Sequence, residues 1–177
     1  MTSRSDRRNS DDVRRGEPDP ESLTPAAARV LVLRWLGQRE LTAAQVRLRL
    51  RRRHYPDDII ESTVAALTGE RILDDQRTAR ARARHDVAIK RRGPGRVLRQ
   101  VEALGVDRET ARDAVAAAFE DVDQDGMIRA ALERRLRGRP LPTDRADRAR
   151  LFAWLLRQGF DTDRVSRALR SHDKSRD

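Results

Sequence analysis

The most restrictive feature of this sequence is an internal repeat. Three segments align without a gap over nineteen residues, and apolar residues occupy the same five offsets from a central hydrophobic residue in each. These positions are Val46, Leu50, Tyr55, Ile60 and Val64, then Val97, Val101, Val106, Ala111 and Val115, then Leu151, Leu155, Phe160, Val165 and Leu169. Residues four apart share one face of a helix, so each segment predicts two helices that meet at the central residue.

The spacing between the repeats predicts the architecture. The central residues Tyr55, Val106 and Phe160 are separated by 51 and 54 positions, which leaves room for one further helix in each unit. We therefore predict an all-α fold of three tandem three-helix, helix-turn-helix-like repeats that form an elongated, curved array. In such arrays a unit is not expected to close its hydrophobic core alone.

Glycines and capping residues divide the chain into nine predicted helices, because glycine tolerates the left-handed conformation that ends many helices. The predicted spans are 25–37, 42–54, 57–68, 74–91, 94–104, 107–119, 123–137, 144–157 and 161–170. Asp57, Asp74, Asp107 and Asp161 are predicted to cap helix N-termini. The predicted organisation is a disordered polar tail at 1–24, repeats at 25–73, 74–120 and 121–171, and a C-terminal tail at 172–177.

The composition favours a thin core and argues against catalysis. Charged residues make up 38% of the chain and aromatic residues 3%, which suits small cores of Leu, Val and Ala. The absence of cysteine excludes disulfides and thiol chemistry, and the three histidines stand apart from one another. We expect a non-enzymatic protein with no metal site and no cofactor. With no long apolar run, it is expected to be a cytoplasmic monomer without a membrane span.

Two short motifs have a functional interpretation that the sequence does not favour. Residues 121–128 begin like a calcium-binding loop, but Leu132 stands where a bidentate glutamate belongs, and Arg129 brings a positive charge. An acidic helix N-terminus is the favoured interpretation. Residues 93–95 read Gly-Pro-Gly among basic residues, and a turn between helices is favoured there over a phosphate-binding nest.

The net charge of +10 is concentrated in one segment. Residues 77–99 contain nine basic residues and the single acid Asp86. On a predicted helix, Arg77, Arg80, Arg84 and Arg91 fall on one stripe. The proposed binding surface consists of these residues together with Lys90, Arg92 and Arg96. A second basic cluster occupies 47–53, and a solvated arginine-rich helix face remains the alternative for both.

The stretch Gly69-Glu70-Arg71-Ile72-Leu73-Asp74-Asp75-Gln76-Arg77-Thr78-Ala79 resembles a signature of the RecX family of RecA regulators. The likeness covers about residues 25–170. It continues through Arg91-Arg92-Gly93-Pro94, Leu98, Leu104-Gly105-Val106 and the closing Gly159-Phe160. Leu73, Asp74, Asp75, Gly159 and Phe160 are expected to be structural motif residues. Family members usually carry aromatic residues near positions 78 and 82, where this chain has Thr78 and Arg82.

The resemblance implies a curved protein that lies in the groove of the RecA–DNA filament. There it would block filament extension and reduce ATP hydrolysis and strand exchange, with a role in recombination, DNA repair and the SOS response. The basic surface would meet RecA or DNA phosphate. Two alternatives stay open: a direct, non-specific DNA-binding protein, and a scaffold for an uncharged protein surface.

Overall fold

The computed structural model describes residues 23–174, and side chains as far as residue 171. Within that range the chain forms nine α-helices and no β-strand. They are α1 (Pro25–Leu36), α2 (Ala43–Arg51), α3 (Asp57–Gly69), α4 (Asp75–Ala88), α5 (Pro94–Glu102), α6 (Arg108–Phe119), α7 (Gln124–Leu136), α8 (Arg145–Arg157) and α9 (Thr162–Lys174). The prediction of an all-α helical repeat is confirmed. The predicted C-terminal tail at 172–177 is wrong for residues 172–174, because α9 continues to Lys174. Residues 1–22 and 175–177 of the predicted tails lie outside the described residues.

Side-chain caps set most of the helix starts. The hydroxyl oxygen of Thr24 accepts a hydrogen bond from the amide of Ala27, with Pro25 at the first helical position. Thr42 and Gln45 form a reciprocal capping box at the start of α2. Aspartates cap five later helices: Asp74, Asp107, Asp123, Asp144 and Asp161. The prediction that Asp57 caps α3 is wrong, because Pro56 holds that position and Asp57 lies inside the first turn.

In each unit the third helix packs against both of the other helices. In unit 1, α1 and α2 pack on α3. In unit 2, α6 packs on α4 and α5, which also contact each other. In unit 3, α7 and α8 both pack on α9. The repeated apolar positions lie at these contacts, since Leu50, Val101 and Leu155 are fully buried.

The buried apolar residues form two separate clusters. One cluster lies within unit 1 and extends from Ala28 to Leu73. The other runs from Ala79 on α4 to Val165 on α9, so units 2 and 3 share a core. The expectation that no unit closes its own core is therefore wrong for unit 1. The physical reason is that α1 supplies Ala28 and Val32 to the core of α2 and α3, whereas the short apolar residues of α4 leave unit 2 dependent on its neighbour.

The turn between the second and third helices has the same backbone form in all three units. The residue before the central hydrophobic residue is left-handed at His54 (φ 61°), Gly105 (φ 81°) and Gly159 (φ 93°). Each donates its amide to the carbonyl three residues earlier, at 2.9 Å. The repeat is thus a repeat of backbone geometry as well as of apolar spacing.

No described helix is long and apolar enough to cross a membrane.

Candidate basic cleft between the second and third units

The basic segment begins on α4 and continues past its end. Helix α4 stops at Ala88, with Ile89 as its cap, and Arg91 then adopts a left-handed conformation at φ 50°. The predicted stripe is therefore wrong at Arg91, because the helix ends before that residue and its side chain follows a turn. Lys90 and Arg91 instead project from the link between α4 and α5.

This link borders a cavity of about 310 Å³ at the junction of units 2 and 3. Four basic side chains line it, Lys90 and Arg91 from the link and Arg134 and Arg135 from α7. The indole of Trp154 on α8 forms another part of the wall, and none of the described carboxylates lines the cavity. We call these five residues the junction cleft. Its excess of positive charge suits an anion, with long-range attraction that weakens as salt rises.

The aromatic wall of the cleft already holds one cation. The guanidinium carbon of Arg135 lies 5.5 Å from the centre of the Trp154 ring, within the range of a cation–π interaction. The side chain of Arg134 donates to the carbonyl of Ala130 one turn back on α7, at 3.2 Å. These contacts orient both arginines without neutralising their charge, so the cleft keeps its positive potential.

Behind the cleft, a buried carboxylate holds three basic side chains. Asp86 has no exposed surface, and Lys90 Nζ lies 3.0 Å from its Oδ1. Its other oxygen accepts from Arg82 Nε at 3.2 Å and from Arg92 Nη1 at 3.3 Å. The amide oxygen of Gln100 accepts from both arginines, at 3.1 and 3.3 Å. One carboxylate among three cations leaves this cluster with a net charge of +2.

The electrostatics of Asp86 follow from this geometry. Burial acts to raise the pKa of the carboxyl, but hydrogen bonds from Lys90 and Arg82 and the charges of both outweigh it and hold the pKa below its ordinary value. Asp86 therefore stays ionised at neutral pH and fixes where Lys90 and Arg92 point. It is a positioning residue for the basic surface.

The other predicted surface residues divide into exposed and engaged ones. Arg80 and Arg84 are exposed on α4 and make no ion pair with the described residues. Arg77 pairs with Glu40 at 3.2 Å and also donates to backbone carbonyls of residues 71 and 72. Arg96 is half-buried and donates to Gln158 Oε1 at 3.1 Å. Arg77 and Arg96 thus hold neighbouring units together, and their part in binding stays a prediction.

The family-motif residues lie at the junctions between units. Leu73 is buried in the core of unit 1, and Asp74 caps α4. Asp75 Oδ1 accepts from the amide of Ala43 at 2.8 Å, which ties α4 to the start of α2. Gly159 and Phe160 are buried where α8 turns into α9, against the start of α5. These positions are consistent with the expected structural role.

Four residues of this site were not predicted from the sequence. Arg134, Arg135 and Trp154 reach the cleft from unit 3, and no local pattern connects them to the basic segment. Asp86 was visible, because it stands four residues from both Arg82 and Lys90 and is the only acid in the segment. That spacing would have indicated an ion-pair cluster.

The acidic loop before α7 serves as a helix start. Asp123 caps α7 by accepting from the amide of Gly126 at 2.8 Å, and it also pairs with Arg129. Asp125 pairs with Arg164 on α9 at 2.8 Å. Among the described residues no group of three histidine or acidic side chains is placed to hold a metal ion.

Comparisons with known proteins agree on one family. Residues 28–67 match the model of the first three-helix domain of RecX, and residues 123–169 match the third. The chain is 35% identical over 159 residues to "Regulatory protein RecX" of Thermobifida fusca, covering 88% of this chain and 83% of that one. It is 31% identical over 150 residues to the protein of the same name from Halorhodospira halophila, covering 84% and 89%.

Solved structures support the fold. The crystal structure of RecX from Lactobacillus salivarius superimposes with a TM-score of 0.74 over 84% of this chain and 96% of that one, at 19% identity. A second crystal structure, of regulatory protein RecX, gives a TM-score of 0.70 over 83% of this chain and 71% of that one, at 21% identity.

Proposed function

The chain belongs to the RecX family of regulatory proteins, and we propose that it regulates RecA recombinase by binding in the groove of the RecA–DNA filament. In that position it blocks filament extension and lowers ATP hydrolysis and strand exchange. The observation that supports this proposal is the junction cleft, where four basic side chains converge and no carboxylate of residues 23–171 lines the cavity. Arg80 and Arg84 add further exposed positive charge on α4.

Inhibition of this kind requires shape and charge but no bond chemistry. A body of three units that contacts adjacent RecA protomers occludes the site at which the next protomer adds. The cleft lies at the junction whose two units share one core, so the backbone positions that carry its four cations are fixed relative to one another. A preorganised surface loses less conformational entropy on binding than a flexible one does.

A strand-exchange assay tests this function directly. Wild-type chain added in stoichiometric excess should suppress RecA strand exchange, and Arg91→Glu/Arg134→Glu should relieve the suppression. The matched control is Arg112→Glu/Arg170→Glu, which changes the net charge equally at exposed positions outside the cleft. It should suppress as the wild type does. Undiminished strand exchange with the wild-type chain would reject the proposal.

Direct binding to nucleic acid is the second candidate, favoured by the indole of Trp154 beside the four cations. Bases stack on aromatic rings while arginines contact phosphates. This function requires DNA affinity without RecA and a steep salt dependence. With four phosphate contacts, the log–log slope would be roughly −2.8 on a single strand, since each contact contributes about −0.7 there, and roughly −3.6 on duplex DNA, where each contributes about −0.9. Affinity that appears only when RecA is present would favour the first candidate.

An uncharged protein partner is the remaining alternative. In that case the charge reversals in the cleft would leave binding of the partner intact. Both other candidates require the same reversals to cause a large loss of binding, to RecA or to DNA. The same Arg91→Glu/Arg134→Glu variant therefore separates a neutral scaffold from the two charge-dependent functions.

A further inference from the structure

The two internal junctions follow one docking rule. In each unit before a junction, the N-terminus of the second helix contacts the next unit. The contact is with the turn that follows the second helix of that next unit. Thr42 Oγ1 donates to the carbonyl of Leu104 at 2.6 Å, and the amide of Gly93 donates to the carbonyl of Gln158 at 2.9 Å. Leu104 and Gln158 occupy the same repeat position, two residues before the central hydrophobic residue. Each turn thus offers a carbonyl that the preceding unit fills.

Unit 1 presents the same turn, and no unit among the described residues docks on it. The equivalent carbonyl belongs to Arg53, and it accepts no hydrogen bond from the described residues. The next residue differs in a decisive way: it is His54, where the internal junctions have glycine. A Cβ on Gly105 would lie 2.5 Å from the Cβ of Ala44, and one on Gly159 would lie 2.5 Å from that of Arg96.

The side chain of His54 therefore occupies the space that a docked helix start needs. Another unit of this kind, including one from a second copy of the chain, is sterically excluded from the turn in the geometry used inside the array. An extended segment has no such requirement, because it can reach the carbonyl of Arg53 beside the imidazole rather than through it.

An apolar groove lies next to this open turn. Ala26, Ala27, Val30 and Leu31 of α1 line it together with Tyr55 and two arginines, and this shallow, open groove has a volume of about 510 Å³. Val30 is 67% exposed, one of the few large aliphatic side chains that the described residues leave in solvent. The groove can bind an aliphatic side chain. A side chain bound there would cover the apolar surface of the groove and remove it from water.

The groove has a basic rim: Arg34 and Arg53 line it, and Arg39, Arg49 and Arg52 lie near Arg53 at the same end of unit 1. Five arginines at this end have no carboxylate partner among the described residues: Arg34, Arg39, Arg49, Arg52 and Arg53. Their neighbours Arg47 and Arg51 do pair, with Glu61 and Asp57. Arg49 and Arg53 lie 5.4 and 5.8 Å from the Trp35 ring centre. Burial is the main reason that the pKa of Arg49 is lowered, and the nearby charges of Arg39 and Arg52 lower it further.

We propose that this end of unit 1 docks an extended acidic segment of another protein. The segment donates a backbone amide to the carbonyl of Arg53, places an aliphatic side chain over Val30 and Tyr55, and pairs its carboxylates with the arginines of the rim. A polynucleotide fits less well, because its backbone has no N–H donor and no aliphatic group for the groove. The site is separate from the junction cleft and does not depend on the function proposed for it.

The test uses a fluorescein-labelled synthetic peptide of four Asp-Leu-Glu repeats as the probe. We expect anisotropy to report saturable binding to the wild-type chain, and Val30→Asp and Arg53→Glu each to weaken it about tenfold or more. Matched controls are Ile89→Asp, at a side chain 71% exposed, and Arg112→Glu, and both should bind as the wild type does. In a Trp154→Phe background, the emission of Trp35 should change on binding.

Further probes distinguish the other occupants. A peptide of four Asp-Ser-Glu repeats should bind more weakly, since it lacks the aliphatic side chain, and the cleft variant Arg91→Glu/Arg134→Glu should bind the leucine peptide normally. Absence of wild-type binding, or equal binding by Val30→Asp and Arg53→Glu, would overturn the proposal. So would displacement of the peptide by a twelve-nucleotide oligothymidylate, or a doubled mass in light scattering, which would assign the surface to nucleic acid or to a second copy.

Discussion

The two junctions between units share a docking geometry but differ in their chemistry. Between units 1 and 2 three polar contacts accompany the close approach of Gly105 to Ala44: Thr42 donates to the carbonyl of Leu104, Asp75 accepts from the amide of Ala43, and Glu40 pairs with Arg77. Between units 2 and 3, backbone hydrogen bonds at Gly93 and Gly95 accompany a continuous apolar core. A sequence repeat can therefore preserve the docking geometry between units without preserving the stability of the interface.

This difference has a consequence for stability. Nearest-neighbour coupling in a repeat array depends on the interface energy, and apolar burial contributes more than half-exposed ion pairs do. Units 2 and 3 should unfold together, whereas unit 1 can open separately. The cleft lies at the more stable junction, between units 2 and 3. This stability suits a binding surface to which both units contribute basic residues.

The largest expected effect is from Leu155→Ala, in the shared core. The fully buried side chain leaves a cavity, so the free energy of unfolding of units 2 and 3 should fall by about 3 to 4 kcal/mol. Leu50→Ala, at the same repeat position in unit 1, is the matched variant. Urea unfolding should show Leu155→Ala shifting the transition of units 2 and 3, while Leu50→Ala shifts unit 1. A single transition that both variants move equally would contradict the comparison.

Gly159→Ala should cost about 3 kcal/mol, from left-handed strain and from crowding against Arg96. Its matched control is Gly138→Ala, where φ is 79° and a Cβ would meet nothing within 4 Å. The control should cost only about 1 kcal/mol, the strain alone. Thermal or urea unfolding measures both, and equal losses would mean that the close approach at this junction contributes nothing.

Asp86→Asn removes the carboxylate that three cations share. The loss should be about 2 kcal/mol, below the usual cost of breaking a buried pair because the cations are partly exposed. The pKa of Asp86 is lowered in the folded chain, so its stabilisation is present above the unfolded pKa of about 3.9 and is lost as pH falls through the lower folded pKa. The gap between wild type and variant should therefore narrow below about pH 4. A gap that is constant with pH would exclude an ionised Asp86.

The smallest effect should come from the ion pair at the polar junction. Glu40→Gln should cost about 0.5 kcal/mol, because Glu40 and Arg77 are 48% and 45% exposed. A double-mutant cycle with Arg77→Gln, measured at low and high salt, isolates the pair. A coupling of several kcal/mol that salt does not reduce would contradict the comparison, because the junction of units 1 and 2 would then be as stable as that of units 2 and 3.

The repeat positions allowed much of the fold to be predicted. The spacing around Tyr55, Val106 and Phe160 gave the helix pairs and the buried positions, because helical period and burial are local properties of the sequence. The stripe was predicted wrongly at Arg91, because the end of α4 could not be predicted in the same way. Its geometry depends on where α4 ends, and helix ends are less strongly encoded than helix interiors.

The candidate site was harder to predict than the fold. Lys90 and Arg91 were identified from charge, but Arg134, Arg135 and Trp154 join them only through the packing of unit 3 on unit 2. Tertiary contacts of that kind leave no periodic signal in a single sequence. The separate core of unit 1 was also beyond prediction, since it depends on side-chain volumes across three helices.

The measurement that tests the function most directly is co-sedimentation with RecA filaments assembled on single-stranded DNA. Wild-type chain and Arg112→Glu/Arg170→Glu should pellet with the filaments, and Arg91→Glu/Arg134→Glu should stay in the supernatant. Pelleting of the cleft variant to the same extent as the wild type, or failure of the wild type to pellet, would contradict the account.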